Sequence, residues 1–242
     1  MSFYKKKLYE PNSQEYFKVS RSKIDLFIEC PRCFYLDRRV GVSRPQGFPF
    51  NLNSAVDLLL KKEFDIHRKQ KTPHPLMDSY GIEAVPFEDK RMDEWRENFV
   101  GVQAFHKPTN FLVFGAVDDL WVNKNGEIMV VDYKATSKDG EVGLDAEWQG
   151  GYKRQMEVYQ WLLRGNDLKV SDTGYFVYAN GKRDREAFEG KLEFDIKIIS
   201  YTGSTDWVEE TLEKMKKCLD GDLPKPSPNC EYCKYVAEAA KY

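Results

Sequence analysis

Two aspartates and a lysine follow apolar runs in the stretch FLVFGAVDDLWVNKNGEIMVVDYK. Asp118 ends the run 111–117, and Asp132 ends the run 128–131, two residues before Lys134. The polar Asn-Lys-Asn-Gly between the runs predicts a turn, so we expect two strands joined in a hairpin. Carboxylates at the ends of apolar strands are costly to bury unless a cation lies between them. Because carboxylate oxygens suit Mg²⁺ or Mn²⁺, we predict a divalent-metal active site.

Residues next to these three extend the predicted site. The backbone carbonyl of Tyr133, between Asp132 and Lys134, is an additional metal ligand in this prediction. Lys134 would orient or deprotonate a water, or neutralise charge in the transition state, and the sequence leaves these roles open. Asp119 is expected to point away from the site, because adjacent residues of a strand face opposite sides.

A predicted helix over residues 54–70, capped by Asn53 or Ser54, carries Asp57 in its first turn. On periodicity alone, this aspartate is a carboxylate that interacts favourably with the helix dipole. The buried face of the helix is predicted from its apolar positions, which are Val56, Leu59, Leu60, Phe64 and Ile66.

A second helix, over residues 148–163, carries Gln155 and Tyr159 at i, i+4, which places them on one face. Taken alone, the pair is equally typical of a surface glutamine and a core tyrosine. Strands are predicted over 173–179 and 192–201, and another helix follows them. The order of the elements predicts an α/β fold, with a central sheet flanked by helices.

Composition limits the class of protein. The chain has 242 residues, of which 41% are hydrophobic and 31% charged, which is ordinary for a soluble protein. We expect a cytoplasmic location and no membrane partner, because there is neither an apolar run of about 18 residues nor an apolar signal segment. The formal net charge is −2, so any nucleic-acid contact must use local basic patches. Candidate patches are Lys61-Lys62, 68–71, Lys153-Arg154 and 214–217.

Cysteines occur as two Cys-x-x-Cys pairs, one near each end of the chain. The pairs are Cys30 with Cys33 and Cys230 with Cys233, while Cys218 is expected to be an inert core residue. In a cytosolic protein such pairs favour metal binding over disulfides. Four thiolates can hold a [4Fe–4S] cluster or a tetrahedral Zn²⁺.

These pairs also suggest the domain organisation. Residues 1–19 are predicted to be an extended or poorly ordered lead-in, and residues 20–242 a single domain. Within that domain, a helix from Ser20 is expected to break at Pro31. Segments 20–40 and 221–242 would be joined through the cysteine metal centre.

Three motifs in order resemble the PD-(D/E)XK nuclease superfamily, and most closely its RecB-like branch. They are Gly-Ala-Val-Asp at 115–118, Asp-Tyr-Lys at 132–134 and Gln-Met-Glu-Val-Tyr at 155–159. The resemblance implies a restriction-endonuclease-like core, a mixed β-sheet flanked by helices, and Mg²⁺- or Mn²⁺-dependent cleavage of DNA. It makes Asp118 and Asp132 metal ligands. It also gives Gln155 and Tyr159 the role of positioning Lys134 or a substrate phosphate.

The RecB-like branch often has a histidine metal ligand in its first core helix. Asp57 stands at the matching place here, and His67, about three turns away, ranks lower. The cysteines resemble those of iron–sulfur RecB-like nucleases, which include the AddB nuclease domain and the CRISPR-associated RecB-like exonucleases. Those proteins have one cysteine in a first helix and three near the C-terminus, whereas this chain has two and two. The resemblance favours the [4Fe–4S] cluster, and the symmetric pairs leave zinc open.

We therefore hypothesise a metal-dependent DNA nuclease that acts on single strands or free ends, with possible protein partners in a DNA-processing complex. DNA repair and CRISPR-associated processing are both open. The alternative is a non-catalytic nucleic-acid-binding or assembly subunit that keeps the fold. A Ser-His hydrolase is disfavoured, because the chain has three histidines and no Gly-x-Ser-x-Gly elbow.

Overall fold

The computed structural model describes residues 7–48 and 50–242. Residues 1–6, which belong to the predicted lead-in, and Pro49 lie outside the described residues. The chain divides into two compact units, and the predicted single domain over 20–242 stays a prediction. The smaller unit comprises the chain up to Phe48, Phe105–Phe114 and Asp206–Tyr242, and the larger comprises Pro49–Ala104 and Gly115–Thr205.

The described chain contains both helices and strands in mixed order. The helices are α1 (Arg21–Glu29), α2 (Pro31–Tyr35), α3 (Asn51–Gln70), α4 (Pro75–Ser79), α5 (Met92–Trp95), α6 (Gly150–Arg164), α7 (Asp206–Asp220) and α8 (Glu231–Ala239). The strands are β1 (Phe17–Ser20), β2 (Ala84–Pro86), β3 (Val102–His106), β4 (Phe111–Gly115), β5 (Asp119–Asn123), β6 (Ile128–Thr136), β7 (Thr173–Gly181) and β8 (Phe194–Thr202). None of the helices in the described ranges combines the length and hydropathy of a membrane span.

The larger unit is built on a five-stranded sheet in the order β2-β5-β6-β7-β8. β6 and β7 pair in parallel, while the other neighbouring strands pair antiparallel. Helix α3 packs against β2 and β6, and α6 packs against β6. The predicted α/β fold, with a mixed sheet and flanking helices, is confirmed.

The predicted hairpin is present, but its first arm is β5 and not the apolar run 111–117. β5 pairs antiparallel with β6, whereas β4 pairs with β1. Strand geometry stops after Gly115, and the N–H of Val117 donates to the Trp95 carbonyl at 3.1 Å. Because this donor is satisfied outside a sheet, the strand formed by the apolar run ends at Gly115, and the first arm of the hairpin begins only at Asp119.

Helix α3 begins at Asn51, before the predicted caps. Its buried side chains follow an i, i+4 row, which consists of Leu60, Phe64 and Arg68. Leu59 and Ile66 were predicted to be buried, but they are 62% and 55% exposed. The prediction fails because the packed row continues into an arginine that is paired with a buried carboxylate, and not into the apolar residues beside it.

Aromatic side chains fix α3 on the sheet. Phe64 stacks on Trp121 of β5 with ring centroids 5.4 Å apart, and it approaches the Tyr133 ring of β6 at 5.6 Å. These residues share one buried cluster with Val177 of β7. Since burying one large apolar side chain contributes about 1.5–3 kcal/mol, this cluster holds α3 firmly above the strands that carry the candidate site.

The smaller unit contains β1, which pairs in parallel with residues 111–114 of β4. β1 begins at Phe17, inside the predicted lead-in. Ser20 is the N-cap of α1, and Pro31 begins α2, as predicted. Helix α8 lies within the C-terminal cysteine segment and is an element that the sequence pattern did not predict.

Candidate active site

The three residues of the predicted centre meet in the larger unit, around β6. Asp132 is fully buried on β6, and Lys134 Nζ forms an ion pair with its Oδ2. Asp118 lies in the break before β5, and its Oδ2 accepts a hydrogen bond of 3.0 Å from the backbone N–H of Tyr133. The hairpin therefore places both carboxylates next to the same short segment of β6.

Asp57 of α3 also reaches this group. Lys61 Nζ, one helical turn away, donates to Asp57 Oδ2 at 2.8 Å and to Asp118 Oδ1 at 2.9 Å. Burial raises the pKa of Asp57, and the nearby Asp118 carboxylate raises it further. Burial alone would lower the pKa of Lys61, but the two carboxylates outweigh burial and raise it.

Side chains of α6 contact the ammonium of Lys134. Its Nζ donates to Gln155 Oε1 at 3.4 Å, and Gln155 Nε2 donates to the hydroxyl of Tyr159 at 3.0 Å. The Tyr152 ring lies 4.4 Å from Lys134 Nζ, within the range of a cation–π interaction. The i, i+4 pair thus forms a chain of hydrogen bonds that ends on the lysine.

Asp119 lies in a separate buried network behind the site. Its carboxylate is paired with the guanidinium groups of Arg68 and Arg96, and it accepts a hydrogen bond of 2.6 Å from the Tyr133 hydroxyl. Arg96 Nε also donates to the Asp118 carbonyl at 3.0 Å. The adjacent aspartates therefore have different environments, and the network positions the backbone that carries Asp118.

His67 is not part of the group around Asp132. Its Nδ1 lies 3.1 Å from Thr72 Oγ1, and its ring packs edge-on against His74 at 4.7 Å between centroids. The lower rank of His67 as a metal ligand stays a prediction.

A divalent cation fits the oxygen donors of this site. Asp57, Asp118 and Asp132 provide carboxylates, the ligand type that Mg²⁺ and Mn²⁺ prefer. Asp57 Oδ1 is buried and accepts no hydrogen bond from the described residues. The ammonium of Lys61 already bridges two of these carboxylates and offsets part of their negative charge.

Four cysteine sulfurs form a second group, in the smaller unit. They belong to Cys30, Cys33, Cys230 and Cys233, and all four lie within 4.8 Å of one another. The cysteines are free thiols, and Arg44 Nη2 donates to Cys230 Sγ at 3.6 Å. The prediction that both ends of the chain meet at one cysteine cluster is confirmed.

The four thiols of the cluster have different surroundings, and burial raises the pKa of Cys33 and of Cys233. Burial opposes the charged form of Cys30, but N–H donors from Ser227 and Cys33 outweigh it and bring the pKa of Cys30 to about 6. Cys218 is the fifth cysteine and belongs to α7, where burial raises its pKa to about 11. Position separates Cys218 from the other four cysteines, because its sulfur does not belong to the group of four neighbouring sulfurs.

Comparison with known families decides the class of protein. A model of the PD-(D/E)XK nuclease superfamily matches residues 18–237. The chain belongs to this superfamily. Membership indicates nuclease activity and a nucleic-acid substrate, and the RecB-like branch stays a prediction.

A solved structure described as "Crystal structure of SSO0001" is 14% identical and gives a TM-score of 0.37. The match covers 93% of this chain and 87% of that one. No curated protein matches the sequence.

Sequence reasoning missed two residues of the PD-(D/E)XK site. Lys61 was considered only as part of a basic patch, although its i, i+4 spacing from Asp57 is a signal that could have identified it. Tyr152 was overlooked, and nothing in the local sequence distinguishes it from a core aromatic. Its role depends on the packing of α6 beside β6, which brings the ring to Lys134.

Proposed function

We propose that this PD-(D/E)XK protein is a metal-dependent nuclease that hydrolyses phosphodiester bonds of DNA. The observation that carries the proposal is that Lys134 pairs with Asp132 on β6, while Asp118, linked to Asp57 through Lys61, accepts from the backbone N–H of the intervening Tyr133. Asp57, Asp118 and Asp132 would hold Mg²⁺ or Mn²⁺, with the Tyr133 carbonyl as a further ligand. When bound, such an ion activates a water and stabilises negative charge on the phosphate.

Lys134 would stabilise charge on the phosphate and orient the attacking water. Its Nζ acts as a donor towards Gln155, and its ion pair with Asp132 keeps it beside the predicted metal ligands. Gln155 and Tyr159 fix the position of this ammonium through successive hydrogen bonds. Preorganised charge of this kind acts without rearrangement at the moment of reaction, which is why it contributes strongly to catalysis.

An exposed indole next to the site supports a single-stranded substrate. Trp148 is 66% exposed, and its ring packs edge-on against Tyr152 at 5.4 Å, the same ring that contacts Lys134. The neighbouring Gln149 is buried and holds its turn in place, since its side chain accepts from the Ala146 N–H at 2.9 Å. Aromatic rings bind unstacked bases, which single strands present and duplexes do not. We therefore assign Trp148 as a stacking surface for a base near the scissile phosphate.

Cleavage of labelled DNA with Mg²⁺ or Mn²⁺ tests the nuclease assignment. We expect Asp132→Ala and Lys134→Ala each to reduce cleavage at least about 100-fold, because an electrostatic group of the site is removed. Lys124→Ala is the matched control, since Lys124 forms an exposed pair with Glu83 at the hairpin turn. Full activity of the two site variants would show that cleavage occurs elsewhere, and DNA binding without turnover in either metal would favour the non-catalytic alternative.

Binding measurements test the single-strand preference separately. In an Asp132→Ala background, which leaves the DNA intact, Trp148→Ala should weaken binding of a single-stranded oligonucleotide about tenfold, and duplex binding less. Trp148→Phe should retain most of the affinity, and Phe188→Ala, which removes another exposed aromatic of the larger unit, should have little effect. An abasic position at the contacted nucleotide should abolish the difference in affinity between the Trp148→Ala variant and the protein that retains Trp148. Equal losses on intact and abasic strands would show that Trp148 acts without stacking.

The spacing of Gln155 and Tyr159 supports the RecB-like branch of the superfamily. End-acting cleavage and a role in DNA repair or CRISPR-associated processing belong to the same proposal. Comparison of linear with circular single-stranded DNA tests the requirement for ends, since an exonuclease leaves the circle intact.

A further inference from the structure

The spacing of the four cysteine sulfurs indicates how many metal ions they hold. Cys33 Sγ lies 3.5 Å from Cys230 Sγ and 3.6 Å from Cys233 Sγ. Cys30 Sγ lies 3.8 Å from Cys233 Sγ. These distances are far above the length of a disulfide, about 2.05 Å, and they describe sulfurs in van der Waals contact.

One tetrahedral ion explains these separations. With Zn–S bonds of about 2.3 Å, tetrahedral geometry places neighbouring sulfurs roughly 3.8 Å apart. The three separations between Cys30, Cys33, Cys230 and Cys233 lie at or just below that value, and every pair stays within 4.8 Å. The sulfurs therefore surround a space that suits a single ion.

A [4Fe–4S] cluster requires a wider arrangement. Each of its four thiolates binds a different iron atom, so the body of the cluster lies between the cysteine sulfurs and keeps them out of contact. Sulfurs that touch across the cluster, as Cys33 and Cys230 do, leave no room for four iron and four sulfide atoms. The geometry does not fit the cofactor that the sequence resemblance favoured.

The two Cys-x-x-Cys pairs present their sulfurs in the same way. Cys30 is the N-cap of α2, with Cys33 in the helix, and Cys230 is the N-cap of α8, with Cys233 in the helix. In each pair the helix N-terminus, with its partial positive charge, adjoins the first thiolate. Four equivalent protein ligands complete a tetrahedron, as in structural zinc sites, and leave no position open for a substrate.

We infer that Cys30, Cys33, Cys230 and Cys233 bind one structural Zn²⁺ and not an iron–sulfur cluster. The donation from Arg44 to Cys230 offsets part of the negative charge of four thiolates on a divalent ion. The ion joins the segment before α2 to the segment before α8 within the smaller unit. This inference does not depend on the proposed nuclease activity.

Metal analysis of the full chain, purified without oxygen from cells supplied with both iron and zinc, tests the inference. We expect one zinc per chain, no acid-labile sulfide and a colourless protein. Four irons with four sulfides per chain and a brown colour would overturn it. Iron that is present in the protein purified without oxygen, and that zinc replaces only after exposure to air, would also overturn the inference.

Cobalt substitution tests the ligands without any activity assay. Co²⁺ in a tetrahedral thiolate site should give intense visible d–d bands, and one equivalent of Zn²⁺ should remove them. Cys33→Ser and Cys233→Ser should each lose these bands, whereas Cys218→Ser should retain them as the matched control. If a variant fails to fold, the zinc-for-cobalt titration of the unmodified protein still decides, because thiolate bands that need more than one equivalent of Zn²⁺ per chain to disappear would contradict a single-ion cysteine site.

Discussion

The ammonium of Lys61 lies 2.9 Å from Asp118 Oδ1, although 57 positions separate the two residues. The same ammonium lies 2.8 Å from Asp57 Oδ2. One ammonium group thus links helix α3 to the segment before β5, and both elements carry proposed metal ligands. Lys61 therefore occupies the region between two of the proposed metal ligands, and its charge opposes that of an incoming ion.

Replacement of Lys61 should change metal affinity. We expect Lys61→Met to tighten Mn²⁺ binding about tenfold, equivalent to about 1.4 kcal/mol, because a competing ammonium is removed. Without metal, the variant should be less stable by about 1–3 kcal/mol, since Asp57 and Asp118 lose their shared partner. Calorimetric Mn²⁺ titration and urea denaturation measure the two effects. Lys62→Met, which alters an exposed lysine of the same helix, is the control, and an unchanged Mn²⁺ affinity in Lys61→Met would refute competition.

Replacement of Asp118 and of the adjacent Asp119 should lower the free energy of unfolding by different amounts. Asp119→Ala leaves Arg68 and Arg96 without their buried carboxylate, so the free energy of unfolding should fall by about 3–5 kcal/mol. Asp118→Ala should cost about 1 kcal/mol, because its side chain is partly exposed, yet it should abolish cleavage. Urea denaturation of both variants measures the contrast. Equal stability of the two would mean that the network behind the site is not structural.

The hydrogen bonds that hold Lys134 should matter for turnover more than for folding. Gln155→Ala should lower kcat by about 10- to 100-fold, because the ammonium is no longer held in place. Tyr159→Phe should have a smaller effect in the same direction, since it removes the hydroxyl that accepts from the Gln155 amide and leaves Gln155 itself in place. Kinetics under saturating DNA and far-UV circular dichroism separate the two roles. Normal kcat in Gln155→Ala would leave Lys134 without a positioning partner on α6.

Removal of the metal from the cysteine cluster should destabilise the protein. A strong zinc chelator should lower the thermal midpoint by roughly 10 °C or more, because binding at a structural site contributes folding energy. Cys218→Ser protein should respond to the chelator as the unmodified protein does, since Cys218 belongs to α7 and not to the cluster. Differential scanning fluorimetry with and without added Zn²⁺ measures the shift. If the chelator removes the zinc and the thermal midpoint does not change, the metal has no structural role.

Local chemistry made much of the site predictable. Asp118, Asp132 and Lys134 stand at fixed short distances from apolar runs, and Gln155 and Tyr159 share a helix face at any packing. The break at Pro31 follows from the geometry of proline alone. These features depend on the properties of neighbouring residues, so the order of residues was sufficient to predict them.

Long-range contacts were not predictable in the same way. The apolar run 111–117 has the pattern of one strand, but the strand ends at Gly115, and the N–H of Val117 donates to the Trp95 carbonyl. Leu59 has the spacing of a core residue of α3, and only the pairing of Arg68 with Asp119 shows which side of the helix is buried. Both outcomes depend on partners far away in the chain.

The sequence by itself determined the ligand types, the motif order and the two cysteine pairs, because covalent spacing carries that information. The tertiary structure decided that Lys61 bridges Asp57 and Asp118, and that Trp148 lies one ring away from the catalytic candidate Lys134. It also decided the distances between the cysteine sulfurs, from which a single ion follows. The physical reason is that distances between side chains on different elements are set by packing, and packing is a property of the whole fold.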